Sequence, residues 1–254
     1  MRSQFWGLYV REILRTFRNP FVLLITVVQP FMWLAFFGSG FGGFSSLLAP
    51  VLGTSNYIEF LLPGVLSTSM LSVGMFGSMS TIQDKRFGFM KRILITPTSK
   101  GLVFLAKAFG SATRGLVQIP VMIAAATAFG VPFDLTPLEW AVWVLALLFI
   151  AVGFSSMFLA ITASSTDWQT PGVVANFITM PLMFSSAALY PSSSFPEWMK
   201  VISTYNPISY SATFGRNLLL HGTIDWTLLG YMFVFAAAMS TIGWFVSSRW
   251  FRVE

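Results

Sequence analysis

Apolar and polar positions along this chain come in long blocks and show no short alternation. No charged residue falls between Arg18 and Glu59, Glu59 and Asp84, Glu139 and Asp167, Asp167 and Glu197, or Asp225 and Arg249. The stretch from Lys107 to Asp134 is interrupted only by Arg114. A helix rises ~1.5 Å per residue and a bilayer core is ~30 Å thick, so about 20 apolar residues cross it. Each of these blocks is that long. The pattern predicts an all-α membrane protein with six transmembrane helices, at about 20–38, 59–82, 102–129, 139–163, 171–190 and 226–248. The whole chain, 1–254, reads as one transmembrane domain. The tail of the first block, 39–58, is rich in Gly and Ser with one Pro and predicts a loop.

Three other segments break the block pattern. In 3–18, Phe5, Tyr9, Ile13 and Phe17 repeat every four residues, while Arg11, Arg15 and Arg18 share the other side with Ser3, Gln4 and Glu12. That spacing predicts a basic amphipathic helix lying in the membrane interface, ended by Asn19-Pro20. It serves either as a simple topogenic anchor or as an elbow joining a moving partner to the first span. The segment 83–100 mixes basic residues with Phe87, Phe89, Met90, Ile93, Leu94 and Ile95. Phe87, Met90 and Leu94 fall at helical spacing and Pro97 ends the turn. Such a short helix docks into a groove on a cytosolic partner or lies flat on phospholipid headgroups. Pro191, Pro196 and Pro207 divide 190–225, which is too polar to span and too apolar for an ordinary loop. It predicts two short helices, either re-entrant from the outer surface or interfacial.

Composition agrees with the blocks. Hydrophobic residues make up 55% of the 254 and charged residues 9%, against about 25% charged in soluble domains. Mean hydropathy is +0.73. These values exclude a soluble domain, a disordered chain and a coiled coil. The first apolar run follows Arg11, Arg15 and Arg18 and is too long for a signal-peptide core, so the start does not read as a cleavable leader. Basic residues cluster before span one (Arg2, Arg11, Arg15, Arg18), between spans two and three (Lys85, Arg86, Lys91, Arg92, Lys100, Lys107) and after span six (Arg249, Arg252). Only Lys200 and Arg216 fall on the opposite side. The distribution predicts both termini in the cytoplasm of a multi-pass inner-membrane protein. It makes the net charge of +6 a topology signal and not a nucleic-acid footprint.

Recognisable catalytic chemistry is missing. There is no cysteine, one histidine (His221), no GxxxxGK[ST] phosphate loop, no HExxH and no GxSxG. The carboxylates all fall at predicted span ends or in loops, which disfavours proton- or sodium-driven transport and an intramembrane hydrolase. Arg114 lies inside the third span. It either reaches the headgroups or a structural hydrogen bond, or faces a translocation path or a substrate phosphate. A membrane protein with no energy source of its own and an apolar-basic cytoplasmic loop points to a separate engine. A channel or scaffold subunit without ATP-driven transport is the alternative.

Two stretches carry a family resemblance. From Asp84 to Gln118, Gly88, Arg92, Leu94, Thr96, Pro97, Lys107, Arg114 and Gly115 are similar, position by position, to the loop and following span of ABC-2 type exporter permeases. That group includes daunorubicin-resistance and nodulation-factor export membrane proteins. From Met180 to Leu220, Asn206, Pro207, Tyr210 and Arg216 resemble the same family's Asn-Pro-x-x-Tyr and following Arg. One departure is the Arg86-Phe87 pair before Gly88, where the family has a glutamate just before the glycine. Either Asp84 takes that role or the contact is rewired.

The resemblance implies a six-span permease that pairs with a second copy of itself and exports an amphiphilic drug, lipid or lipid-linked glycan. Two copies of a cytosolic ABC ATPase would power it. ATP and Mg²⁺ would sit on that partner, with no cofactor on this chain and no catalysis by it. Asp84, Lys85, Arg86, Phe87, Gly88, Met90, Lys91, Arg92, Leu94, Thr96 and Pro97 would form the coupling helix seated on the ATPase. The helix at 3–18 would be the elbow. Arg114, Asn206, Pro207, Tyr210 and Arg216 would belong to the translocation path or its outer gate.

Overall fold

The computed structural model describes residues 2–43, 45–94, 98–165 and 169–250. Ile95, Thr96, Pro97, Asp167, Trp168, Arg252 and Glu254 therefore lie outside the described residues. Within them every regular element is helical. In chain order these are α1 (Arg2–Phe17), α2 (Pro20–Gly42), α3 (Ser45–Leu52), α4 (Tyr57–Arg86), α5 (Phe89–Leu94), α6 (Lys100–Leu116) and α7 (Gln118–Ala128). They continue with α8 (Pro137–Ser164), α9 (Thr170–Phe184), a 3₁₀ turn (Ser192–Ser194), α10 (Glu197–Thr204), α11 (Pro207–His221) and α12 (Trp226–Trp250).

Local chemistry sets many of the boundaries. Asn56 caps α4 by accepting from the Ile58 amide at 3.0 Å. Thr136 and Glu139 form a reciprocal capping box, with Pro137 at the first position of α8. Asn206 caps α11, again followed by proline. Gly222, with φ of 61°, ends α11 as its amide donates to the Leu218 carbonyl at 2.9 Å. Asp225 accepts from the amides of Thr227 and Leu228 and starts α12.

Four helices among the described residues are long and apolar enough to cross a membrane: Leu23–Gly42, Tyr57–Arg86, Pro137–Ser164 and Trp226–Arg249. These carry the first, second, fourth and sixth predicted spans. The third predicted span is divided between α6 and α7. Pro120 lacks the amide that would bond the Leu116 carbonyl, and the hydrogen-bond ladder is interrupted at Val117 alone, which keeps helical dihedrals (φ −64°, ψ −32°). The fifth is shorter than predicted. α9 has 15 residues, about 22 Å of rise, and 185–190 is irregular.

The predicted loop at 39–58 is largely helical, through the end of α2 and all of α3. An aromatic ladder, Trp33–Phe37–Phe41–Tyr57–Phe60, runs from α2 onto α4 with centroid steps of 5.1, 5.9, 5.3 and 6.2 Å. Its packing outweighs the ~1 kcal/mol that each glycine costs a helix.

The core is built around α4 and α8, with α6, α11, α12 and α2 packed on them. Small residues allow the close approach. A Cβ at Gly74 on α4 would stand 2.7 Å from the Ser155 amide nitrogen on α8. One at Gly64 would stand 1.9 Å from the Ala188 carbonyl oxygen. Packing at such crossings is what associates helices in lipid, where burial of apolar area gives no advantage. In contrast, α2 and α12 leave most of their apolar surface uncovered. With its apolar helices the chain is a multi-pass membrane protein.

Candidate functional site

Charged side chains converge where α1, α4 and α6 meet. Glu12, Asp84 and Lys107 are 4%, 4% and 3% exposed. Lys107 Nζ donates to Glu12 Oε1 at 3.1 Å and to Asp84 Oδ2 at 2.5 Å. Arg11 donates to Asp84 Oδ1 at 2.8 Å, to Asp84 Oδ2 at 3.3 Å and to Glu12 Oε1 at 3.2 Å. Arg15 adds a bond to Asp84 Oδ1 at 3.1 Å and another to the Gln83 side-chain oxygen. Two carboxylates thus face one ammonium and two guanidinium groups. Each would be costly to bury alone, and together they are satisfied.

The sequence of α1 explains how the cluster closes. Glu12 and Thr16 stand four apart on one helical face, and both are buried. Thr16 Oγ1 accepts from Arg114 Nε at 3.0 Å and donates to the Glu12 carbonyl at 3.1 Å. Gly110, one turn beyond Lys107, admits Glu12, whose Cβ would lie 2.8 Å from a Cβ there. The outward face of α1 is apolar, with Trp6, Leu14 and Phe17 exposed. A polar stripe turned to the protein and an apolar one turned outward suit a helix whose surroundings are lipid.

This cluster also holds the predicted coupling segment. α4 runs on through Arg86, so Asp84 and Lys85 occupy its last turns. Lys85 Nζ donates to the carbonyls of Thr162, Ala163 and Ser165 at 2.9, 2.9 and 3.0 Å. It thereby caps the carboxyl end of α8. Gly88 turns the chain at φ of 68°, in the left-handed region that glycine enters without a Cβ clash. α5 follows. Met90 (3% exposed) and Ile93 anchor it in a second core with Val103, Phe104, Ala108, Leu159 and Ala163. The Arg11 guanidinium lies 3.6 Å over the Phe89 ring and ties α5 to α1. Arg86, Phe87 and Arg92 are exposed, Phe87 at 76%. The ridge expected from Phe87 and Met90 is therefore divided, one residue outward and one inward. Lys91 and Leu94 lie along α5, while Thr96 and Pro97 fall outside the described residues.

A second constellation gathers around the start of α4, about 36 Å of helical rise from Asp84. Arg216 on α11 donates to the carbonyls of Phe60, Ala187 and Ala188 at 2.9, 2.5 and 2.7 Å, and stacks 3.5 Å over the Phe60 ring. Tyr57 Oη donates to the Leu189 carbonyl at 3.1 Å. Ser209 Oγ accepts from the Ala187 amide at 3.0 Å. The irregular backbone of 185–190 is thus satisfied by side chains, as buried backbone polar groups require. Asn206 Nδ2 donates to the Leu182 carbonyl at 2.7 Å and to Ser185 Oγ at 3.2 Å, which fixes α11 against the end of α9. Pro207 opens α11, and the Tyr210 ring lies 5.4 Å from that of Tyr231 on α12.

Asp84, Arg114 and Lys107 are brought to one junction, while Asn206, Pro207, Tyr210 and Arg216 share α11 and its cap. The sequence alone does not pair Glu12, Arg11, Arg15 and Thr16 with that junction. The available signal was an acid in the middle of an otherwise basic amphipathic helix.

The sequence over residues 3–220 matches the ABC-2 type transporter family. The ycf38 protein of Cyanophora paradoxa is 27% identical over 225 residues, covering 87% of this chain and 76% of that one. The daunorubicin resistance ABC transporter permease protein DrrB1 of Streptomyces coeruleorubidus is 24% identical over 223 residues, 88% of this chain and 77% of its own. The inner membrane transport permease YadH of Escherichia coli strain K12 is 25% identical over 248 residues, 96% and 94% of the two chains. An apolar helical bundle and a family match across most of the length converge. The chain is a transmembrane transport subunit without an ATPase domain of its own, and it belongs to the ABC-2 type transporter family.

Proposed function

We propose that this chain is the six-span permease of an ATP-driven exporter. α2, α4, the α6–α7 pair, α8, α9 with 185–190, and α12 form the spans, and both termini lie in the cytoplasm of the inner membrane. Two copies of the chain pair, and two cytosolic ATPases, which carry the ATP and Mg²⁺, bind beneath them. The cargo is amphiphilic: a drug, a lipid or a lipid-linked glycan. Segment 191–220 forms the outer re-entrant helices, and Asn206, Pro207, Tyr210 and Arg216 frame the gate.

The observation that supports this reading best is the half-anchored α5 turn. Phe87 stands 76% exposed between exposed Arg86 and Arg92, while Met90 holds the same turn in the protein. An exposed aromatic flanked by basic groups suits a cleft on a partner. Force on Phe87 would pass through Phe89 to Arg11, and from there to Asp84 and α1. Such coupling requires contacts that differ between ATP-bound and free states. Phe87→Asp should abolish the permease-dependent stimulation of ATPase activity in reconstituted vesicles. Normal stimulation by a Phe87→Asp subunit that inserts and melts like the parent would sink the docking assignment.

A further inference from the structure

Arg114 is 8% exposed and forms no ion pair among the described residues. Its Nε is committed to Thr16, and neither terminal nitrogen donates to a described group. The nearest acid, Glu12, is already taken. Its Oε1 accepts from Lys107 and Arg11, and its Oε2 lies 3.5 Å from Ser80 Oγ. A guanidinium that is mostly buried yet keeps two terminal nitrogens accessible and without a described partner can take an anion from the groove.

The surroundings say where that anion would come from. Arg114 lines a groove of about 210 Å³ between α1 and α6, with Ile13, Phe17, Leu116 and Val117 supplying its apolar wall. Phe17 is 55% exposed, so the groove opens on an apolar surface and not on the ion cluster. Arg114 lies seven residues beyond Lys107 on α6, ~10 Å along the helix. That puts it within side-chain reach of the headgroup layer if the ion cluster marks the membrane boundary.

We propose that this groove is a site for a resident anionic phospholipid of the surrounding bilayer. The lipid phosphate bonds the free edge of the Arg114 guanidinium, and one acyl chain lies along Ile13, Phe17, Leu116 and Val117. A guanidinium fork matches a phosphate, and the apolar wall matches the chain. The lipid completes the α1–α6 contact. The proposal is independent of the transport reading, because the site needs no ATPase to fill.

The test is lipid retention by the full chain, purified from nanodiscs containing phosphatidylglycerol and phosphatidylcholine in equal parts, read by native mass spectrometry. The parent should retain phosphatidylglycerol in preference to phosphatidylcholine. Arg114→Gln should lower that retention about tenfold, the effect of losing a charge-assisted hydrogen bond, and Arg114→Lys should keep most of it. Leu116→Trp fills the groove with the charge intact and should empty the site as well, which covers the case of an Arg114→Gln chain that does not fold. Millimolar inorganic phosphate should not displace the lipid. Equal retention of both lipids by the parent, unchanged retention in either folded loss-of-site variant, or displacement by inorganic phosphate would overturn the proposal.

Discussion

Removing Lys107 is the sharpest test of the junction at α1, α4 and α6. Its ammonium lies 3.1 Å from Glu12 and 2.5 Å from Asp84, and all three residues are at most 4% exposed. Lys107→Met keeps much of the side chain's length and removes the charge. Glu12 then keeps Arg11 at 3.2 Å, and Asp84 keeps Arg11 and Arg15 at 2.8 and 3.1 Å. Because both carboxylates stay paired, the loss is that of the charge-assisted hydrogen bonds to Lys107, about 1.5–3 kcal/mol, below the cost of stranding a buried charge. For a chain of this size ~2–4 °C follows each kcal/mol, so the melting temperature in detergent should fall by about 3–12 °C. Lys200→Met is the control, since its bond to Glu197 at 2.8 Å is exposed and such pairs contribute about 0–1 kcal/mol. Glu12→Gln added to Lys107→Met should recover at least ~1 kcal/mol relative to the sum of the single changes. If Lys107→Met melts within the range of the Lys200→Met control, the junction is not the clamp described.

Three further outcomes are expected. Gly64→Ala puts a Cβ 1.9 Å from the Ala188 carbonyl oxygen and should destabilise by at least about 1–3 kcal/mol; Gly230→Ala, with nothing within 4 Å in α12, should be neutral or stabilising by about 0.5–1 kcal/mol, both read by thermal melts in one detergent. Arg216→Met leaves the Ala187 and Ala188 carbonyls without their donors and should cost about 1–3 kcal/mol for each; Arg216→Lys should restore only part, because one ammonium does not reproduce the fork. Met90→Asp should lower the melting temperature of the permease itself, since Met90 belongs to a core, while Phe87→Asp should leave it unchanged; equal melting of the two variants would contradict the divided ridge.

The sequence alone determined that this chain lives in a bilayer, because charge is too scarce and too regularly spaced for any other solvent. It indicated long apolar helices, an amphipathic first helix and short helices between Pro191 and His221, since these are written in local spacing, prolines and caps; it did not show the turn at Gly88 or the helix α3. What it did not determine is which polar groups face one another. Glu12 reads as one more solvated residue on a basic helix until α1 lies against Gly110 and Lys107. Met90 and Phe87 read as one ridge until α5 is anchored on Phe104 and Leu159. The irregular run 185–190 reads as the end of a span until Arg216, 28 and 29 residues beyond Ala188 and Ala187, supplies donors to their carbonyls. In each case the deciding term is long-range pairing of buried polar groups. That term depends on three-dimensional contact, whereas hydrophobic length and helix signals depend only on neighbours along the chain.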